Sequence, residues 1–358
     1  MVGIIFISDI IYCPYLEKYT EILNSQNEEF EVLFWNRENK NIDYASNFLC
    51  YDYESEKNRL PILKVFDFLK YRNWIIKKIE SRQYKKLILL STLSGMIISD
   101  VLLDKFKGKY IFDIRDYSYE KNIVFYNIEE KLIRDSYFTC ISSNGFKEFL
   151  PKGYNYLTVH NFNKNEIQYK KIFKMKGMGE ILRVVFIGGV RYFDHQRKII
   201  DKLKNDCRFE MVYHGSGVEL GRFISYCKDN DVKNIIFTGE YDNQDKYRLL
   251  EDADILNNSY KTHKIMEVKY AISNKYYDGL IYGIPQLVET DTFKTDIVES
   301  IGVGIGLDPG GKDFANKLYD YYFCIDEEVF NNTCENELGE ILCEDKKFTQ
   351  KIIEFLNL

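Results

Sequence analysis

Short apolar runs alternate with longer amphipathic stretches along the whole chain. The runs are rich in Val, Ile, Leu and Phe and are bounded by Gly, Asn, Asp and Ser, so they read as buried strands. In the first half the pattern predicts strands over 3–8, 30–35, 86–90, 109–113, 138–141 and 156–159. It predicts helices over 15–23, 61–81, 95–106, 128–135 and 143–150, the last opened by Ser142-Ser143-Asn144 as a cap. In the second half the predicted strands are 184–187, 209–213, 234–238, 255–257, 286–288 and 303–306. The matching helices are 196–204, 220–229, 245–252, 274–282, 294–300 and 314–323. Strand–helix alternation of this kind is the mark of parallel sheets.

At 358 residues the chain exceeds one comfortable core, so two domains are expected. The stretch 163–180 carries lysines at 164, 170, 171, 174 and 176 and then Gly177-Met178-Gly179, which reads as a linker. The expected organisation is an α/β protein of two Rossmann-like domains, 1–165 and 181–345, whose parallel sheets face each other across a cleft. An acidic tail runs from Asp326 to Asp345, and 346–358 is an amphipathic helix expected to cross back to the first domain.

The net charge of −6 speaks against a nucleic-acid binder. The eight cysteines form no Cys-x-x-Cys pair and several lie in apolar runs, so free thiols of a reducing cytoplasm are expected. The four histidines are not spaced to ligate zinc with them, and no metal site is expected. No signal peptide and no run long enough to span a bilayer is read, which places the chain in the cytoplasm.

The chemistry concentrates in Ser273-Asn274-Lys275-Tyr276-Tyr277-Asp278-Gly279, the start of a helix that ends at Gly283. Lys275 and Asp278 are three residues apart and share a face. A helix N-terminus with a lysine suits an anion, and a carboxylate one turn on suits sugar or ribose hydroxyls. Each earlier strand of this half ends in a polar or glycine turn: Gly188-Gly189-Val190-Arg191, His214-Gly215-Ser216-Gly217, and Thr238-Gly239-Glu240-Tyr241. Glycines admit backbone N–H groups close to an anion, and Arg191 offers a bidentate phosphate contact.

In this order the motifs resemble the donor half of GT-B glycosyltransferases, nearest the family 4 type of bacterial capsule, O-antigen and exopolysaccharide synthesis. The resemblance is good over 182–308 and weaker over 1–165. It implies transfer of a sugar from a nucleoside diphosphate sugar, UDP favoured over GDP, to a glycan or lipid-linked acceptor, without a metal. By this resemblance Arg191 and Lys275 hold the diphosphate and stabilise its departure, with Arg197-Lys198 as the alternative second cation. Asp278 takes the place of the second glutamate of the family's Glu-x7-Glu motif, on the ribose. Gly188, Gly189, Gly215, Gly217, Gly239, Glu240, Tyr241 and Asn274 complete the expected donor site, with the 238–241 turn along the base.

Two positions depart from the family. Its first glutamate falls on Tyr270 here, with Glu267 nearby. The acceptor-side histidine has no counterpart, because no histidine precedes His160. The family leans towards retention; an inverting enzyme would need a base, for which Asp9, Asp113 and Asp116 are the candidates. Basic residues of 64–86 lie among Phe66, Phe68, Trp74, Ile75 and Ile76, a composition suited to an anionic membrane surface at the inner face of the cell membrane. Three other readings compete, one of them a GT-B epimerase or related sugar-nucleotide enzyme. Gly215-Ser216-Gly217-Val218-Glu219-Leu220-Gly221 is an imperfect dinucleotide fingerprint that would suit a nicotinamide enzyme. Tyr270 at the glutamate position would suit a catalytically silent, glycan- or partner-binding relative.

Overall fold

The computed structural model describes residues 1–38, 44–55, 60–260 and 265–358, without the side chains of Pro61, Ile62 and Glu267. The chain divides into two compact units, Met1–Asn161 with Cys343–Leu358, and Phe162–Leu342.

In the first unit the elements are β1 (Val2–Phe6), α1 (Leu16–Ser25), β2 (Phe30–Asn36), β3 (Phe48–Asp52), α2 (Pro61–Arg82) and β4 (Lys86–Leu90). Then come α3 (Thr92–Met96), α4 (Ser99–Lys105), β5 (Tyr110–Ile114), α5 (Ile123–Asp135), β6 (Phe138–Ile141) and β7 (Tyr156–Thr158). The strands form one parallel sheet in the order β3-β2-β1-β4-β5-β6-β7. All five residues of β1 are buried, as a central strand covered on both faces requires. The edge strand β3 was not expected: its residues are only half-buried, so Phe48-Leu49-Cys50-Tyr51-Asp52 lacks the long apolar run of its neighbours. The expected 95–106 helix is two short ones, α3 and α4, and α5 starts at Ile123, where Asn122 Oδ1 accepts from the amides of Val124 and Phe125.

In the second unit the elements are β8 (Leu182–Ile187), α6 (Phe193–Leu203), β9 (Phe209–His214), α7 (Leu220–Asp229), β10 (Ile235–Gly239), α8 (Lys246–Leu249) and β11 (Ile255–Asn257). They continue with α9 (Met266–Tyr270), α10 (Asn274–Tyr282), β12 (Gln286–Val288), α11 (Phe293–Ser300), β13 (Gly304–Gly306), α12 (Phe314–Phe323) and α13 (Glu327–Leu356). The sheet is parallel, in the order β10-β9-β8-β11-β12-β13. In each unit the chain direction across the sheet reverses once, between β1 and β4 and between β8 and β11. These are the switch points where doubly wound sheets bind ligands.

Residues 163–180, read as a linker, are strapped onto the second unit. Lys171 N donates to Ile281 O at 2.9 Å, and Asn331 brackets Phe173 by bonds to its N–H and C=O at 2.8 and 3.1 Å. Gly283, which ends α10 at φ 62°, lies under this strap; a Cβ there would stand 2.8 Å from Phe173 N. The acidic tail is not a separate element: Glu327–Leu356 is one helix. Its Cys334, Leu338 and Ile341 join the core of the second unit, and its Phe348, Ile352 and Phe355 that of the first. The latter three recur at helical spacing; Phe348 packs edge-on to Tyr19 and Phe355 lies tilted against Tyr137.

Candidate functional site

The turns that follow β8 and β11 meet at the switch point of the second unit. A buried polar layer fixes them. Gln196 Oε1 accepts from Tyr213 Oη at 2.9 Å and from Asn257 Nδ2 at 2.8 Å, while its Nε2 donates to Ser259 O at 2.5 Å. His195 Nε2 lies 2.7 Å from Ser259 Oγ, and burial pushes this imidazole down to about 4, so it is neutral at physiological pH. Asn258 Nδ2 donates to Gln286 Oε1 at 2.9 Å, and its Oδ1 accepts from Ser273 Oγ at the start of α10. The loop 257–260 is therefore bonded on every side before it reaches Tyr260.

Three cations gather around Tyr260. Lys275 Nζ donates to its hydroxyl at 2.8 Å and sits 3.9 Å from the Phe186 ring centre. Lys294 Nζ lies 4.5 Å from the Tyr260 ring centre, the same distance as Lys275. Arg191 bears electrostatically on both Tyr260 and Lys275. Lys294 pairs with Glu289 at 3.0 Å, both buried, and Glu289 also accepts from Tyr260 N at 2.7 Å. Burial pushes the Lys275 ammonium down to about 7; Arg191 pushes the same way, and Asp278 and Glu289 oppose it. Arg191 is exposed on the turn after β8, where its guanidinium stacks over Tyr192 at 5.0 Å without an ion pair among the described residues. Lys294 and Glu289 were not foreseen, because they face each other only once β12 turns into α11.

Asp278 is buried one turn beyond Lys275. Its Oδ1 accepts from Lys246 Nζ at 2.7 Å, and Lys246 also pairs with Glu166 at 2.6 Å. Asn274 and Glu240 are exposed, and Tyr241 is half-buried near Lys246 and Asp278. The glycines of the second turn have a structural cause of their own. A Cβ on Gly215, which adopts φ 129°, would stand 2.0 Å from Gly188 O, and one on Gly217 would stand 2.3 Å from Val190 O. Gly215 and Gly217 let the turns after β8 and β9 pack together, joined by Val190 N donating to Ser216 O at 3.0 Å. Gly188 and Gly239 take the left-handed region at 116° and 79°, and a Cβ on Gly189 would meet nothing. Tyr270 closes α9; Glu267, weighed as its substitute, has its side chain outside the described residues.

In the first unit Asp9 follows β1 at the switch point and is fully buried. Its Oδ1 accepts from Ile11 N at 3.1 Å, while Oδ2 has no partner, as is true of Thr92 Oγ1 after β4. Asp113 differs: Tyr19 Oη donates to it at 2.6 Å, Arg115 Nη2 at 2.7 Å, and Arg115 in turn stacks over Tyr15. Asp113 is thus an interior ion-pair partner, its Oδ1 2.7 Å from Arg115 Nε, and Asp116 is exposed. His160 is buried against Glu344 of α13. Among the described residues no group of three or more His, Cys, Asp or Glu is placed to hold a metal ion.

The geometry can be set beside known proteins. No family model matches the chain, and no curated protein does. Solved structures do. Sucrose-phosphate synthase from Thermosynechococcus elongatus aligns at TM-score 0.71 with 10% identity over 100% of both chains. The lipopolysaccharide outer core galactosyltransferase WaaB aligns at 0.63 with 14% identity over 98% of this chain and 99% of its own. Anabaena HepE in complex with UDP-glucose aligns at 0.64 with 10% identity over 98% and 99%. The chain has the GT-B fold. In GT-B terms the cation cluster stands in the second Rossmann-like unit, and Asp9 with Thr92 in the first. At these identities the likeness establishes the fold alone.

The basic stretch 64–86, most of it in α2, divides by region. Val65, Phe66 and Leu69 are exposed, whereas Phe68 packs on Trp35 and Trp74 stacks on Tyr71. Arg72 pairs with Asp100, Arg82 with Glu31, and Lys86 donates to Leu356 O at 2.7 Å. Lys77 and Lys85 remain exposed. Among the described residues no helix is long and apolar enough to cross a membrane.

Proposed function

We propose that this GT-B protein is a glycosyltransferase that takes its sugar from a nucleoside diphosphate sugar, UDP favoured over GDP. The observation that carries the reading is the convergence of Arg191, Lys275 and Lys294 on Tyr260 at the switch point of the second unit. With Lys275 protonated and Glu289 included, the cluster has a net charge of about +2 in a mostly buried setting, which suits a diphosphate. As the bond between the anomeric carbon and the diphosphate oxygen breaks, the electron pair goes to the leaving group, and these cations stabilise it. They supply the positive charge that a metal would otherwise bring, so a metal-independent reaction is proposed. The known complexes of HepE with UDP, with UDP and glucose, and with UDP-glucose add support for UDP. Asp278 is proposed to meet the ribose.

The acceptor is proposed to be a glycan or lipid-linked oligosaccharide of a bacterial surface polysaccharide, received by the first unit, at whose switch point Asp9 Oδ2 and Thr92 Oγ1 lie buried without hydrogen-bond partners among the described residues. Asp9 is the best placed of the three candidate bases should transfer invert, because Asp113 is already paired and Asp116 is exposed. Retention, which needs no such base, is the favoured course. The exposed Val65, Phe66 and Leu69, with Lys70 and Lys77 further along α2, support peripheral contact with an anionic membrane from the cytoplasmic side. Sedimentation with anionic and neutral vesicles tests this: binding only to the former, lost in high salt, is expected, and absence of binding contradicts it.

A second reading, a catalytically silent glycan- or partner-binding protein, is favoured by one observation: Tyr270 stands where the resembled family has its sugar-contacting glutamate. Transfer or hydrolysis of any nucleotide sugar in a donor panel rejects it.

A further inference from the structure

The carboxylate proposed to meet the ribose does not stand alone. Lys246 reaches it from α8, and Glu166 reaches Lys246 from the 3-10 turn Lys164–Tyr169. All three side chains are at least about five-sixths buried, with exposures of 6% for Asp278, 14% for Lys246 and 15% for Glu166. The turn that carries Glu166 is itself pinned. Tyr169 stacks on Tyr247, the neighbour of Lys246, at 4.2 Å and 3°, and Tyr282 Oη donates to Glu166 at 3.3 Å.

We propose that Lys246 and Glu166 are positioning residues for the nucleoside: Lys246 fixes Asp278 by its Oδ1 and leaves Oδ2 to the ribose diol. This rests on the donor-site reading above. Two features of the trio favour hydroxyls as the ligand. Its net charge is about −1, one cation between two carboxylates, which repels a phosphate and suits hydroxyl donors. Its bonds are one-sided: Lys246 engages Oδ1, and Oδ2 makes no hydrogen bond among the described residues. One turn back along the same face, Lys275 belongs to the cluster of opposite sign. A nucleoside diphosphate, anionic at one end and hydroxyl-bearing beside it, matches that change of sign over one helical turn.

Lys246 also biases Asp278 towards its charged, accepting form. Burial raises this carboxyl towards its neutral form, and Lys246 is the strongest influence in the other direction. Glu166 keeps Lys246 from moving away, because the ammonium is held by two carboxylates and released by neither. Lys246 and Glu166 touch no reacting atom; they act through Asp278.

Isothermal titration of the full chain with UDP and with 2′,3′-dideoxy-UDP tests the proposal. The wild type is expected to prefer UDP by about tenfold or more, the value of charge-assisted hydrogen bonds to the diol. Lys246→Met and Glu166→Gln are expected to weaken UDP about tenfold while leaving the dideoxy nucleotide within about twofold, so the preference collapses. Lys246→Arg is expected to restore most of it. A Lys246→Met or Glu166→Gln protein that melts like the wild type and keeps the full preference overturns the proposal. Should Lys246→Met fail to fold, Glu166→Gln, which keeps the shape, decides. Equal binding of UDP and the dideoxy nucleotide by the wild type overturns this inference and leaves the donor site standing. Binding of neither UDP nor GDP overturns the donor site and this inference with it.

Discussion

Lys275 Nζ donates to the hydroxyl of Tyr260 at 2.8 Å, fifteen residues back along the chain. The ammonium also lies over the Phe186 ring, in a site from which water is largely excluded. A lysine in such a place gives up part of its charge until an anion arrives.

That has a consequence for pH. The Lys275 pKa is about 7 in the folded protein against an ordinary 10.5. Above pH 7 the free protein therefore holds Lys275 increasingly neutral, and binding a diphosphate must draw a proton onto it. UDP affinity is expected to fall as pH rises from 7 to 9, with proton uptake seen as a dependence of the binding heat on buffer ionisation. The stability of the unliganded protein is expected to show the reverse trend. The unfolded chain binds the extra proton between pH 7 and 10.5, so stability relative to Lys275→Met rises with pH there, by up to about 1.4 kcal/mol per unit.

Glu289 and Lys294 form a pair at 3.0 Å in which each is 2% exposed. Removing one partner leaves a buried charge alone. Lys294→Met is expected to cost about 3–5 kcal/mol in urea unfolding, and Glu289→Gln with Lys294→Met together less than the sum.

Glu129 of α5 is buried with both oxygens unpartnered, and its carboxyl is pushed up to about 8, by burial first and then by Glu120. The folded pKa is above the unfolded one, so the fold favours the neutral acid. Its contribution is fully present below about pH 4.5 and is lost as pH rises through 8. Glu129→Gln is expected to gain on the wild type across that window, by up to about 1.4 kcal/mol per pH unit, in unfolding measured at pH 5 and 8.

Asp9 and Asp113 separate by the same logic. Asp113 holds Arg115 and Tyr19 together, so Asp113→Asn is expected to lower stability by about 3 kcal/mol. Asp9 Oδ2 and Thr92 Oγ1 bond to nothing, so Thr92→Val is expected to leave the melting temperature unchanged or raised, while weakening any sugar held there.

Much of this fold is legible as pattern. Helices α7, α10 and α12 run over the residues their periodicity marks, and β11 and β12 follow from short apolar runs beside Asn and Gly. Local signals suffice there, because one buried face and one cap define each element. The edge strand β3 carries no such signal, and α13 hides one because its two ends serve different cores. The site divides in the same way. Arg191 stands in a strand-end turn, and Lys275 with Asp278 on one helix face, positions a motif can mark. Lys246 reaches Asp278 from 32 residues away and Glu166 from farther still, and only the packed sheet brings them together. Gly215 and Gly217 look like phosphate-loop glycines in sequence, yet their want of a side chain is explained by the Gly188 and Val190 carbonyls against them.

The central claim is that the second unit binds a nucleoside diphosphate through Arg191 and Lys275. Thermal unfolding with and without UDP, repeated for Arg191→Ala and Lys275→Met, tests it most directly. The account predicts that UDP raises the melting temperature of the wild type by several degrees and that either substitution abolishes the shift. A wild type stabilised by neither UDP nor GDP, or variants that keep the full shift, would contradict it.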